Sequence, residues 1–297
     1  SYKLDYSTET WSSSANSTLK RKRAGAASNT TAAYVGGGNL LPADGNSTYG
    51  DMDKLTYATS TFSRIPGPAA GGPSGGIPGR ATDATAAGNQ TQGYWTFGTG
   101  DQSGCDKLVY STETAASLPN LPWNAKNTVA VSMQTAGYYG SGDGFDDKGS
   151  NFVRITFSND TYASYSGWSK QPAGPAPYRC GSSSSTKAYI VGGLNLERYM
   201  DVTPWATNTT SNSPSTFLQS PGFSYAPGQG SNEAGYFTGG GQVGNNGTNT
   251  EKITYASDTT AMVPSAEFPT SEPNGVNSYS TGGPNMNGLG TILPNVI

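Results

Sequence analysis

The chain has 297 residues, of which 12% are charged; its net charge is −3 and it contains no histidine. That length suits one large all-β domain, while so weak a charge gives no field to gather nucleic acid or an anionic membrane, and no apolar run approaches the ~20 residues that span a bilayer. Without histidine, Ser-His-Asp and Cys-His nucleophile systems and the usual His-bearing zinc and copper sites cannot be built.

Disorder is excluded by the low net charge together with 11% aromatic residues, 18 of them Tyr. Tyr, Thr and Val suit pleated strands, and the 41 Gly suit tight turns. The chain begins Ser1-Tyr2-Lys3, with no Met and no signal-peptide pattern, and is expected to be processed or part of something longer.

The first predicted element is Lys3-Leu4-Asp5-Tyr6: a basic residue, an apolar one, and an aromatic two further on, so that Leu4 and Tyr6 share one face of a strand. Ser7-Thr8-Glu9-Thr10 follows as a polar hairpin turn, and Trp11 begins an outer strand. Lys20-Arg21-Lys22-Arg23 is the one basic run, and in an acidic chain it reads as a solvated connection. Tyr34-Val35-Gly36-Gly37-Gly38 is the second kind of element, an aromatic strand ending in glycines that are expected to leave room where blade strands crowd near the axis and to allow φ > 0 at the exit turn.

These two elements then alternate. The basic-aromatic one returns at Lys54–Tyr57, Lys107–Tyr110, Arg154–Phe157 and Lys252–Tyr255, with Arg198-Tyr199-Met200-Asp201 as a degenerate copy. The Tyr-Gly one returns at Tyr94, Tyr138, Tyr189, Tyr236 and Tyr279. Phe62 and Tyr162 sit where Trp11 does, five residues after the aromatic, and Trp205 is expected to take this place in the degenerate repeat. The basic residues step by 51, 53, 47, 44 and 54, and the interval from Lys252 through the C-terminus back to Lys3 is 48. A circle that closes with one ordinary step predicts a single closed β-propeller over 1–297, with six four-stranded blades. Since the chain starts with one element and ends with the other, one blade is shared: its Gly-rich strand lies near Tyr279 and its outer strands near 3–15.

This pattern resembles the kelch family. It is similar in particular to the Gly/Thr/Asn-rich kelch-like repeats of virion and tail-fibre proteins of marine bacteriophages, notably those infecting cyanobacteria. Ala234-Gly235-Tyr236-Phe237-Thr238-Gly239-Gly240-Gly241 and Lys252-Ile253-Thr254-Tyr255-Ala256-Ser257-Asp258-Thr259 carry the closest likeness. The resemblance implies a non-enzymatic structural or adhesive protein, extracellular and on the virion surface. Its partners would be other virion or surface-assembly proteins and host cell-surface glycan, with no nucleic acid and no membrane insertion.

Candidate sites are few, and no catalytic, cofactor or metal residue is assigned. Acids collect in the loops at Asp44, Asp51 and Asp53, at Asp101 and Asp106, and at Asp143, Asp146 and Asp147 with Asn151; none has the spacing of a known calcium loop, and the default reading is a solvated turn. Arg23, Arg80 and Arg179 each open a half-blade and read as structural, bonding carbonyls or carboxylates between blades. Pro66 to Gly76 reads as a surface loop between blades. Cys105 and Cys180 fall in blades that are not neighbours and are expected to be free thiols. Trp95 reads as core, while Trp123 and Trp168, in Pro/Ser/Gly-rich connections, are the better surface candidates for sugar stacking. The Asn-X-Ser/Thr sequons at Asn16, Asn29, Asn46 and Asn208 are ascribed to composition.

Two rival readings stand beside the adhesive one. A secreted propeller enzyme could still hydrolyse or cleave glycans with carboxylates alone, although no Asp-box turn is present. An intracellular kelch adaptor would need a second domain, for which the repeat leaves no room.

Overall fold

The computed structural model describes residues 2–13, 21–22, 24–37, 39–40, 52–65, 84–98, 103–142, 151–166, 168, 177–193, 199–212, 228–238, 241–242, 245–246 and 249–264. All regular structure among them is β. Five four-stranded antiparallel sheets form in chain order. Blade 1 comprises Gly25–Ser28, Ala32–Gly36, Met52–Thr56 and Thr61–Ile65. Blade 2 comprises Thr85–Gly88, Gln92–Thr96, Cys105–Val109 and Thr114–Leu118. Blade 3 comprises Val129–Met133, Ala136–Gly140, Phe152–Thr156 and Thr161–Tyr165. Blade 4 comprises Cys180–Ser183, Lys187–Val191, Met200–Pro204 and Ser211–Asn212. Blade 5 comprises Gly228–Gly230, Ala234–Thr238, Thr250–Thr254 and Thr259–Met262. An N-terminal hairpin, β1 (Tyr2–Asp5) and β2 (Thr10–Ser13), stands as a separate two-stranded sheet.

The arrangement is a β-propeller. The first strand of each blade packs against the first strand of the next, so these strands line the axis. Their sequences show why they can: Gly25-Ala26-Ala27-Ser28, Thr85-Ala86-Ala87-Gly88 and Cys180-Gly181-Ser182-Ser183 are small and wholly buried. A Cβ on Gly228 would stand 2.1 Å from the Gly181 carbonyl oxygen, so backbone lies directly on backbone there. Outward from the axis the side chains grow, and the fourth strands of blades 2 and 3 alternate exposed and half-covered positions, as edge strands with one wet face do.

Two sequence expectations are corrected. The axial strand is the one that precedes the Tyr strand, small-residued in blades 1, 2 and 4 and Val-rich in blade 3, so the room at the axis is not made by the glycines. The glycines that follow the Tyr strand serve its exit turn instead: Gly37 and Gly192 lie at φ 70° and 67°. Of the six predicted blades, five four-stranded ones are found among the described residues; the expected Gly-rich strand at Tyr279 lies outside them.

The hydrophobic core is divided among the blade boundaries. One cluster joins blades 1 and 2 around Tyr34, Trp95 and Tyr110, and another joins blades 2 and 3 around Tyr94, Tyr139 and Phe157. A third joins blades 3 and 4 around Tyr138, Trp168 and Trp205, and a fourth joins blades 4 and 5 around Tyr189, Phe237 and Tyr255. The fifth unites blade 5 with the N-terminal hairpin through Tyr236, Leu4, Tyr6 and Trp11.

Candidate functional site

Every described blade boundary is built to one plan. The Tyr of one blade's second strand stacks on the aromatic that ends the next blade's third strand. The ring centroids are 4.7 Å apart for Tyr34 and Tyr110, 5.0 Å for Tyr94 and Phe157, and 5.3 Å for Tyr138 and Trp205. They are 5.1 Å apart both for Tyr189 with Tyr255 and for Tyr236 with Tyr6. Opposite that Tyr on the third strand stands the basic residue of the repeat: Tyr34↔Lys54, Tyr94↔Lys107, Tyr138↔Arg154 and Tyr236↔Lys252. Its ammonium reaches across the boundary to an acid in the next blade's outer hairpin.

These contacts are Lys54 with Glu113, Lys107 with Asp160 at 2.9 Å, Lys187 with Asp258 at 2.6 Å, and Lys252 with Glu9 at 2.5 Å. The Tyr hydroxyl donates to the same carboxylate at three of them: Tyr94 to Asp160 at 2.5 Å, Tyr189 to Asp258 at 2.7 Å and Tyr236 to Glu9 at 3.0 Å. Burial first, and then the accepting carboxylate, pushes each of these three phenols well above its ordinary 10, so they remain donors at any physiological pH. The accepting residues sit at φ between 52° and 57°, in the left-handed region, as the turn into the fourth strand requires.

Blade 4 corrects the register read from sequence. Tyr189 pairs with Val202, so Val202 and not Arg198 occupies the basic position, and Trp205 stands where Tyr57, Tyr110, Phe157 and Tyr255 stand in the other blades. The intervals around this blade become 48 and 50 in place of 44 and 54. The missing cation is restored from the neighbouring strand: Lys187 lies two residues before Tyr189 and so shares its face.

The boundary between blades 3 and 4 departs from the plan. Its basic residue is Arg154, and the turn position is held by Asn208, at φ 50°. Tyr138 donates to Asn208 Oδ1 at 3.2 Å. Arg154 makes one long contact, Nη1 to the Tyr165 hydroxyl at 3.5 Å, and its Nε–H is buried without an acceptor. The rings compensate: Tyr138 stacks on Trp168 at 4.2 Å and meets Tyr165 edge-on at 5.9 Å.

The space along the axis between the described blades is narrow. The inner strands enclose a cavity of about 20 Å³ lined by alanines, glycines and hydroxyl residues, enough for one water. The buried charges are also engaged. Arg179 Nη1 donates to Asp201 at 2.7 Å, its Nε to the Gly192 carbonyl and its Nη2 to the Ile190 carbonyl. Asp106 accepts from the Ser117 hydroxyl at 2.7 Å. Asp53, Asp106, Asp201 and Glu251 occupy one equivalent position of the third strand in four blades, all buried. The sequence reading placed Asp53 and Asp106 among solvated loop acids; their strand position turns them inward instead.

The remaining candidates divide as follows. Arg179 is structural as expected, but its partners belong to its own blade, because it lies beside that blade's second and third strands. Cys105 and Cys180 are buried and not joined in a disulfide. Trp95 is core, with its indole N–H donating to the Gly25 carbonyl. Trp168 is corrected from surface to core at 1% exposure, since its indole stacks on the Tyr138 ring; Trp123 is half-buried against the blade 2–3 cluster. Asn29 forms an Asx turn, accepting from Thr31 and Ala32. Asp44, Asp51, Asp101, Asp143, Asp146, Asp147, Arg23, Arg80, Asn16, Asn46 and 66–76 lie outside the described residues, as do Lys20 and Arg198. No group of three or more His, Cys, Asp or Glu able to hold a metal occurs among the described residues.

No family model matches the chain, and no curated protein matches it.

Proposed function

We propose that the protein is a non-enzymatic structural or adhesive component of an extracellular particle surface, a phage appendage, tail-fibre or decoration protein. It binds host glycan or neighbouring virion proteins through its loops. The observation that carries this reading is the neutral polar surface of the outer hairpins. The surface fits the role. The outer hairpins expose hydroxyls that bond one another, as between Thr59 and Thr61 and between Thr112 and Thr114, both at 2.7 Å. Such a neutral polar face contacts sugars or protein without long-range charge. Mass spectrometry of purified particles and of the soluble fraction tests the reading. Peptides from 108–126 at fixed stoichiometry in particles are expected; their confinement to the soluble fraction would sink the virion role and favour the secreted glycan-active alternative.

The ring closes, on this reading, as six kelch-like blades, the N-terminal hairpin supplying two strands of the sixth. Support comes from the blade 5 boundary: Glu9 and Tyr6 receive Lys252 and Tyr236 as an ordinary next blade would. By the common register Tyr279 would face Lys3. The pair Lys3→Cys with Tyr279→Cys should oxidise to an internal disulfide, and Lys3→Cys with Asn277→Cys should not. Crosslinking of the second pair alone, or of neither, counts against this closure.

A further inference from the structure

The boundary between blades 3 and 4 holds a cation without the anion that its counterparts have. In the neighbouring boundary Asp160 Oδ1 accepts from Tyr94, and Oδ2 faces Lys107 at 2.9 Å. Asn208 occupies the same turn position, and its Oδ1 takes the Tyr138 hydroxyl. An amide in this place offers the basic residue no charged oxygen, and its Nδ2, like the Arg154 guanidinium, can only donate. What fits between two sets of donors is an acceptor, and none among the described residues supplies one: Arg154 has no acidic partner and its Nε–H is unsatisfied. Arginine in place of the repeat's lysine adds a planar fork that matches a carboxylate bidentately.

We propose that Arg154, the Tyr165 hydroxyl and the Asn208 side-chain amide form a binding site for the carboxylate of an external ligand, a sugar acid being the class that suits it. All three residues are partly buried rather than fully covered, and Tyr165 lies at the margin of the blade 3–4 cluster, where an aromatic ring can meet the apolar face of a pyranose. The other four described boundaries carry their own carboxylate and are closed to such a ligand. The site does not depend on where the protein resides, so it stands even if the virion role fails.

The test is a titration of the full chain with glucuronate, acetate and glucose, followed by ¹⁵N NMR of the Arg154 Nε–H and by calorimetry. Glucuronate and acetate should move that resonance saturably, and glucose should not. Tighter binding of glucuronate assigns the sugar ring to the site; equal binding assigns it to any bare carboxylate, such as a partner's acidic side chain. Asn208→Asp places an internal carboxylate there and should keep the fold while reducing binding at least tenfold; Arg154→Met should abolish it. Failure of both carboxylates to bind, equal effects of chloride, or undiminished binding by Asn208→Asp would overturn the proposal.

Discussion

The blade 2–3 and blade 3–4 boundaries share a backbone plan and differ in what holds them. At the first, a phenol and an ammonium converge on Asp160, and one aromatic pair stacks beneath. At the second, the carboxylate is an amide and the weight falls on four rings: Tyr138, Tyr165, Trp168 and Trp205. Half-exposed ion pairs contribute little, because two long side chains must be ordered and solvent screens them. Buried rings contribute by area and by the density of their contacts. The two boundaries are thus alternative solutions to one joint.

Three measurements would break or sharpen this contrast. The largest effect should come from Trp168→Ala, which empties the centre of the blade 3–4 cluster; a loss of about 3–5 kcal/mol is expected in urea unfolding. A loss under about 1 kcal/mol would mean that the rings are not the joint. The intermediate effect is an exchange. Asn208→Asp should stabilise by about 0.5–1 kcal/mol at low salt, and Asp160→Asn should destabilise by a similar amount, both fading as salt is raised. Equal shifts at high and low salt would remove the electrostatic account.

The smallest effect is that of pH. Hydrogen bonding from Lys252, and less so from Tyr236, holds the Glu9 carboxyl below its ordinary 4.5. The folded state therefore binds this proton less readily than the unfolded state. The stabilisation is complete above that value and fades as pH falls through the lower folded one. Hydrogen exchange at falling pH should release residues 2–13 before residues 199–212, whose turn presents Asn208 and no carboxylate to the preceding blade. Simultaneous release would sever the hairpin's attachment from Glu9.

What could be read from the chain follows from the range of each interaction. Strand faces depend on neighbours two residues apart, so Leu55 with Tyr57 and Leu108 with Tyr110 were legible, and their recurrence implied a propeller. The ion pairs between consecutive blades join residues 53 to 71 apart in sequence, and Lys252 meets Glu9 across 243 residues. Glu113, Asp160 and Asp258 could not be read as partners, since nothing local distinguishes an acid that faces water from one that meets a lysine of the preceding blade. Blade 4 misled because its cation moved from the third strand to Lys187 on the second, leaving Arg198 as the nearest basic residue to the expected position. Trp168 misled for a similar reason: its surroundings in the chain are loop-like, and only the fold places Tyr138 beneath it. The missing carboxylate at Asn208 became meaningful only beside its equivalents.

The turn acids also bear on how the molecule comes apart. Glu9, Glu113, Asp160 and Asp258 each hold a left-handed backbone conformation that costs a non-glycine residue roughly 1 kcal/mol. The contacts that offset this lie in the preceding blade and not in their own. A blade released from its neighbour keeps the strain and loses the compensation. Nearest-neighbour coupling is therefore written into the hairpins themselves, so the described blades should melt as one cooperative array, with no blade persisting alone.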